Sequence, residues 1–247
     1  MIRFFALPAF ALALALALPG PASAGGPHLV EPRLTLPGPM GLSPRVALTL
    51  DACSGKADSR IFKALVENRI PATVFVTARW LKRNPEAAQL MLEHPALFQI
   101  ESHGARHVPA VDVPATVYGI AAAGSPEAVK AEVEGGADAV RAATGHAPRW
   151  YRGATARYSP GAIAEIAGLG QSVAGFSLNA DQGAMRPAAA VEKRLARAKA
   201  GDVIIAHVNH PERTAGEGLV RGLLALKAKG FVFVKLGLPH KPSRHAS

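Results

Sequence analysis

Apolar residues along this chain fall in short continuous runs, separated by stretches of helical period. The runs of strand length are Val46–Leu50, Ala72–Val76, Phe98 to Ile100, Arg149–Arg152, Ser172–Leu178, Val203–Ala206 and Phe231–Val234. Between them, apolar residues recur every three or four positions. Ile61, Phe62, Leu65 and Val66 follow a cap at Asp58 or Ser59, and helical segments surround Trp80–Leu81 and Glu86–Leu92. Val129, Val133, Ala137 and Val140 follow Ser125-Pro126; further helices start at Pro160 and span Pro187–Lys199. Leu219, Leu223 and Leu226 follow Thr214 and Glu217, which read as a capping box. Such spacing sets the apolar residues on one helix face. Buried-type strands joined by helices predict a parallel sheet of about seven strands covered by helices. A barrel and a doubly wound sheet both satisfy the pattern. Residues 108–124 lack any period and read as a long loop, the kind that is often functional.

Polar residues mark the C-terminal ends of these strands, which converge on one face in either architecture. They are Asp51, the pair His103 and His107, Arg152, Asn179 with Asp181, and His207. The two histidines are four residues apart. On one turn of helix that spacing puts both imidazoles on the same side, where they can bind one divalent ion. Each residue alone has a structural explanation: a cap for Asp51, an ion pair for Arg152, a turn beside Gly183 for Asn179 and Asp181. Their joint occurrence at equivalent positions does not. Histidines to hold a metal, a carboxylate base and a further histidine as acid are the parts of metal-assisted amide or ester hydrolysis.

Composition adds compartment and rules out some partners. Arg3, the apolar run Phe4–Leu18 and the small residues Ala22-Ser23-Ala24 read as a cleaved signal over 1–24, implying a periplasmic or secreted protein. The run, broken by Pro8, is short of the ~20 residues of a membrane span, so no transmembrane segment is expected after cleavage. Residues 25–44 form a Pro/Gly-rich lead-in, 45–238 the main domain and 239–247 a basic tail. The single cysteine, Cys53, excludes an internal disulfide. It reads as a small buried residue after a strand, although a thiolate is also a soft metal ligand. The net charge of +10 is spread over several helices and the tail without interleaved aromatics, which argues against nucleic acid and leaves an anionic polymer or cell surface open.

The stretches LTLDAC, SHGARH, YRGATARY, FSLNADQGA and IIAHVNHP resemble, in order and spacing, the motifs of NodB-type polysaccharide deacetylases. The resemblance runs from Val46 to Leu236. It implies a distorted (β/α) barrel and a divalent metal, usually zinc, acting on an acetylated glycan to release acetate. Residue by residue, it implies Asp51 as general base, His103 and His107 as metal histidines, Arg152 as the residue orienting the base, and His207 as the acid. Asn179 stands where the family has an aspartate tuning that histidine, and Asp181 could substitute. The chain also departs from the family. Ala52 occupies the place of the third metal ligand, an aspartate; Gly153-Ala154 replaces two prolines; the aromatic after the fourth motif is missing. LTLDAC, HVNHP and Tyr118-Gly119 resemble a variant branch. Three arrangements are open at the metal: Asp51 binds it, Asp181 or water completes it, or it is held weakly. A silent glycan-binding protein and a small-amide or ester hydrolase are the competing functions.

Overall fold

The computed structural model describes residues 26–38 and 43–239. The expected signal and all but Pro239 of the basic tail lie outside the described residues. The main domain opens with β1 (Arg45–Ala52), α1 (Ser59–Glu67), β2 (Ala72–Val76), α2 (Ala78–Arg83), α3 (Pro85–Glu93) and β3 (Phe98–Ser102). A hairpin, β4 (Thr116–Val117) and β5 (Ile120–Ala121), precedes α4 (Pro126–Thr144) and β6 (Trp150–Tyr151). The chain then runs through a tight turn (Ala154–Ala156), α5 (Pro160–Gly168), β7 (Ser172–Val173) and β8 (Leu178–Asn179). It ends with α6 (Ala188–Leu195), β9 (Val203–His207), α7 (Ala215–Ala228) and β10 (Val232–Val234).

Seven parallel strands follow the order β7-β6-β3-β2-β1-β9-β8, with β10 set against the start of β1. The two ends of this path, β7 and β8, are joined by only residues 174–177. At roughly 3.5 Å per residue that link cannot span a flat seven-stranded sheet, so the sheet curls into a half-barrel. Of the two architectures open from the pattern, this is the distorted barrel.

Strand alternation sorts β1 into two faces. Val46, Leu48, Leu50 and Ala52 pack outward with Ile61, Leu65, Leu219 and Leu223 of α1 and α7. Thr49 and Asp51 face the other way, toward the barrel interior. That interior is closed at the base by Phe75, Trp150 and Ala174, against which Leu34 and Leu236 pack. The lead-in is therefore part of the fold. Val30 and Thr35 bridge to Tyr158 and Asp202, and a Cβ on Gly175 would sit 2.1 Å from the Pro32 carbonyl oxygen.

Four expectations change. Ser172–Leu178 is two strand ends on opposite edges of the half-barrel, because Gly175 and its neighbours turn across the gap under the lead-in. His103 and His107 lie on a loop, not on a helical turn: β3 stops at Ser102, Gly104 takes φ +85 and His107 φ +66. The capping box does not form; Thr214 makes no cap bond and Glu217 pairs instead with Arg60 and Arg221. Residues 108–124 contain the β4–β5 hairpin, turned by Tyr118 and Gly119, both at positive φ.

Candidate active site

Parallel strands end on one side, and there β1, β3, β6 and β9 deliver Asp51, His103, Arg152 and His207 to a pocket of about 600 Å³. Arg152, fully buried, organises its floor. Its guanidinium donates to Asp51 Oδ1 (3.0 Å), the Thr49 hydroxyl (2.8 Å) and the carbonyls of Ala174 (3.1 Å) and Gly175 (2.9 Å), and lies 4.4 Å over the Phe75 ring. A planar fork of donors suits this; a lysine would satisfy one direction only. Burial by itself would raise the Asp51 pKa, but Arg152, then His103 and His207, hold it below the ordinary carboxylate value. Asp51 is therefore ionised, with Oδ1 fixed and Oδ2 4.0 Å from both His103 Nε2 and His207 Nε2.

His207 donates Nδ1–H to Asp181 Oδ1 (2.9 Å), while Asp181 Oδ2 accepts from the His207 backbone N–H (2.7 Å). Burial pulls the imidazole pKa down; the Asp181 charge and hydrogen bond, with Cys53, override it, and His207 sits well above its ordinary value. Asn179 does not take this role. Its side-chain oxygen caps the Gln182 N–H (2.9 Å), turning the loop that carries Asp181.

His103 donates Nδ1–H to the Arg152 carbonyl, which can only accept, so Nε2 is the ring nitrogen left to face Cys53 and the pocket. That nitrogen is 3.4 Å from Cys53 Sγ, and His107 packs edge-on to His103 with ring centroids 5.0 Å apart. Among the described residues, Cys53, His103 and His107 form the one group whose ligand atoms all lie within 4.8 Å of each other. These donors, two imidazoles and a thiol, fit a divalent ion. Neither Asp51 nor Asp181 belongs to the group. Asp181 directs both carboxylate oxygens to His207; Asp51 directs Oδ1 to Arg152 and leaves Oδ2 4.0 Å from His103 Nε2. Ala52 is fully buried in the outer, helix-side core. Burial pushes the Cys53 thiol up, but the charge and hydrogen bond of His103, with His107 and His207 close by, bring it well below its ordinary value.

The histidine loop is shaped by Glu132, a buried carboxylate on α4. It accepts from the backbone N–H groups of Arg106 (2.9 Å) and Val108 (3.1 Å), and its own carbonyl accepts from Ala105 N–H (3.0 Å). Sequence reading missed Glu132. The signal was its place within the buried stripe Val129, Glu132, Val133, Gly136, Val140. Also missed was Thr155, which lines the pocket at φ +68, a strained value for a β-branched residue, with its hydroxyl buried and unpartnered.

A family model described as polysaccharide deacetylase matches residues 41–174. No curated protein matches the chain in sequence. Among solved structures, a family 4 acetyl xylan esterase from Clostridium thermocellum, bound to cobalt, is similar at TM-score 0.64 and 19% identity, covering 81% of this chain and 95% of that one. A family 4 carbohydrate esterase from Streptomyces lividans, bound to acetate, follows at TM-score 0.63 and 17% identity, covering 77% and 91%. A family 4 pseudoenzyme from Bacillus anthracis is similar at TM-score 0.62 and 16% identity, covering 78% of this chain. The chain spans 64% of that pseudoenzyme's length, and a mutant of the pseudoenzyme has restored activity. At these identities the likenesses establish the fold.

Proposed function

Because the chain belongs to the polysaccharide deacetylase family, we propose that it is an exported hydrolase that removes acetyl groups from a glycan, with a divalent metal, zinc, held by His103 and His107. The observation that carries this reading is one pocket holding an Arg152-fixed carboxylate, an Asp181-charged imidazole and the histidine pair. Bound there, a divalent ion supplies Lewis acidity to an acyl oxygen. Asp51, ionised and with Oδ2 facing the pocket, takes the proton of the attacking water. His207, protonated by virtue of Asp181, gives its Nε2 proton to the departing amine or alcohol. Arg152 keeps Asp51 ionised and correctly aimed; Asp181 keeps His207 in the Nδ1–H form.

A polymeric substrate is supported by the rim. Tyr118 (70% exposed) at the hairpin tip and Met185 (71% exposed) flank the pocket, and Arg157 lies 5.4 Å over the Tyr118 ring. An exposed ring at the rim of the pocket suits stacking on a sugar more than enclosure of a small amide. Among the described residues no helix is long and apolar enough to cross a membrane; export rests on the sequence features of residues 1–24. Ala52 favours a second reading, a silent glycan-binding protein on the same scaffold. Purified protein supplied with zinc or cobalt and an N-acetylated glycan oligomer separates the two. The deacetylase releases acetate and loses it in Asp51→Asn and His207→Ala; the silent binder releases none and binds glycan equally well as His207→Ala.

A further inference from the structure

We propose that Cys53 is the third ligand of the histidine site, so that this chain holds a thiophilic divalent ion, zinc or cobalt, through two imidazoles and one thiolate. The proposal rests on the reading of the pocket as a metal-dependent hydrolase site and replaces the carboxylate that Ala52 cannot supply.

Tetrahedral zinc, with bonds of about 2.3 Å to sulfur and about 2.0–2.1 Å to nitrogen, sets neighbouring ligand atoms roughly 3.3–3.6 Å apart. Cys53 Sγ and His103 Nε2 are already 3.4 Å apart, and all three ligand atoms lie within 4.8 Å of one another. Cys53 follows directly on β1, where Ala52 faces the outer core, and its own carbonyl is held by the Thr77 hydroxyl at 2.6 Å. Gly55 then passes so close to the Asn209 backbone that a Cβ would lie 2.8 Å from its carbonyl oxygen. The sulfur is thus fixed from both sides of its loop. The His103 ring is aimed by the Arg152 carbonyl, as outer-shell partners aim metal histidines. The sulfur has no other employment: it is the chain's one cysteine, so it has no disulfide partner within the chain. A nucleophilic role suits it poorly, since both histidines line the pocket and Cys53 does not. A thiolate in the set favours zinc or cobalt over magnesium, calcium or manganese, which prefer oxygen.

Cobalt substitution tests this directly, because a thiolate bound to cobalt gives a sulfur-to-metal charge-transfer absorption that imidazole and carboxylate do not. The wild-type protein should bind cobalt with that band. Cys53→Ser should lose the band and bind cobalt at least about 10–100-fold more weakly, the loss typical even of an outer-shell partner. Cys53→Asp should recover affinity without the band. Zinc should also protect the wild-type thiol from iodoacetamide, a readout that does not depend on any variant folding. Cobalt bound without the band, no cobalt bound at all, or alkylation as fast with zinc as without, would each overturn the proposal. Acetate release from an N-acetylated oligomer, measured on the same cobalt-loaded sample, keeps the two claims apart. Acetate without the band removes the thiolate and leaves the deacetylase; the band without acetate does the reverse.

Discussion

At the scale of single residues, the site is a set of charges held apart from their ordinary values by named neighbours. Asp181→Asn removes the charge that lifts His207, so the imidazole pKa falls toward, or under the pull of burial below, its ordinary value. A reaction needing protonated His207 is lost as pH rises through that pKa. The alkaline limb of kcat against pH should therefore move to lower pH in Asp181→Asn, with metal content unchanged. The same pair bears on stability. A raised histidine pKa contributes stability that is complete below about 6.5 and is lost as pH climbs through the folded-state value. Arg152→Met leaves Asp51 buried and unpaired, which should cost about 3–5 kcal/mol in chemical denaturation, most of it recovered in the double variant with Asp51→Asn. Asp51, Arg152 and His207 were legible in the sequence because each is the polar stop of an apolar strand. Cys53 was not. A small residue after a strand reads as core, and nothing in one sequence shows that a sulfur stands 3.4 Å from a histidine 50 positions away. Asn179 and Asp181 were separable only once the turn between them was seen.

At the scale of elements, α4 is the scaffold of the histidine loop. Glu132→Ala would leave the Arg106 and Val108 N–H groups without their acceptor, at a cost of about 1–3 kcal/mol, and should weaken metal binding while Glu132→Gln, which keeps one acceptor oxygen, loses less. Equilibrium denaturation and metal titration of both variants give the comparison. Gly136→Ala sets two effects against each other. Helix propensity favours alanine by about 1 kcal/mol, yet a Cβ there would sit 2.6 Å from Gly104 Cα and from Ser102 Oγ. Backbone cannot yield as a long side chain can, so the clash should win, with a net destabilisation of about 1–3 kcal/mol. The helices themselves were readable from their period, and most strands from their apolar runs. The histidine turn was misread because H-x3-H spacing fits a helix and a loop equally well; only Gly104 at φ +85, held against α4, decides it. The stretch 172–178 was misread as one strand because its apolar run does not reveal that Pro32 crosses over Gly175.

At the scale of the whole molecule, the curled sheet brings residues from both ends of the main domain to one mouth, and the lead-in and the segment after β10 close the other end with Leu34 and Leu236. The architecture was legible as helix-covered parallel strands, and the half-barrel was not, since curl depends on strand order. Tyr118 stands at the open mouth. On the proposed reading Tyr118→Ala should raise KM for an acetylated oligomer by up to about fivefold, the worth of roughly 1 kcal/mol of ring contact, with little change on a small acetyl ester. The central claim is that these residues together make a metal-dependent deacetylase. The most direct measurement is acetate released from an N-acetylated glycan oligomer by protein with its metal content determined, wild type beside Asp51→Asn and His207→Ala. Metal-dependent acetate release that falls by about 10²-fold or more in both variants is the expected result. Wild-type protein with metal bound that releases no acetate from any acetylated glycan would contradict it.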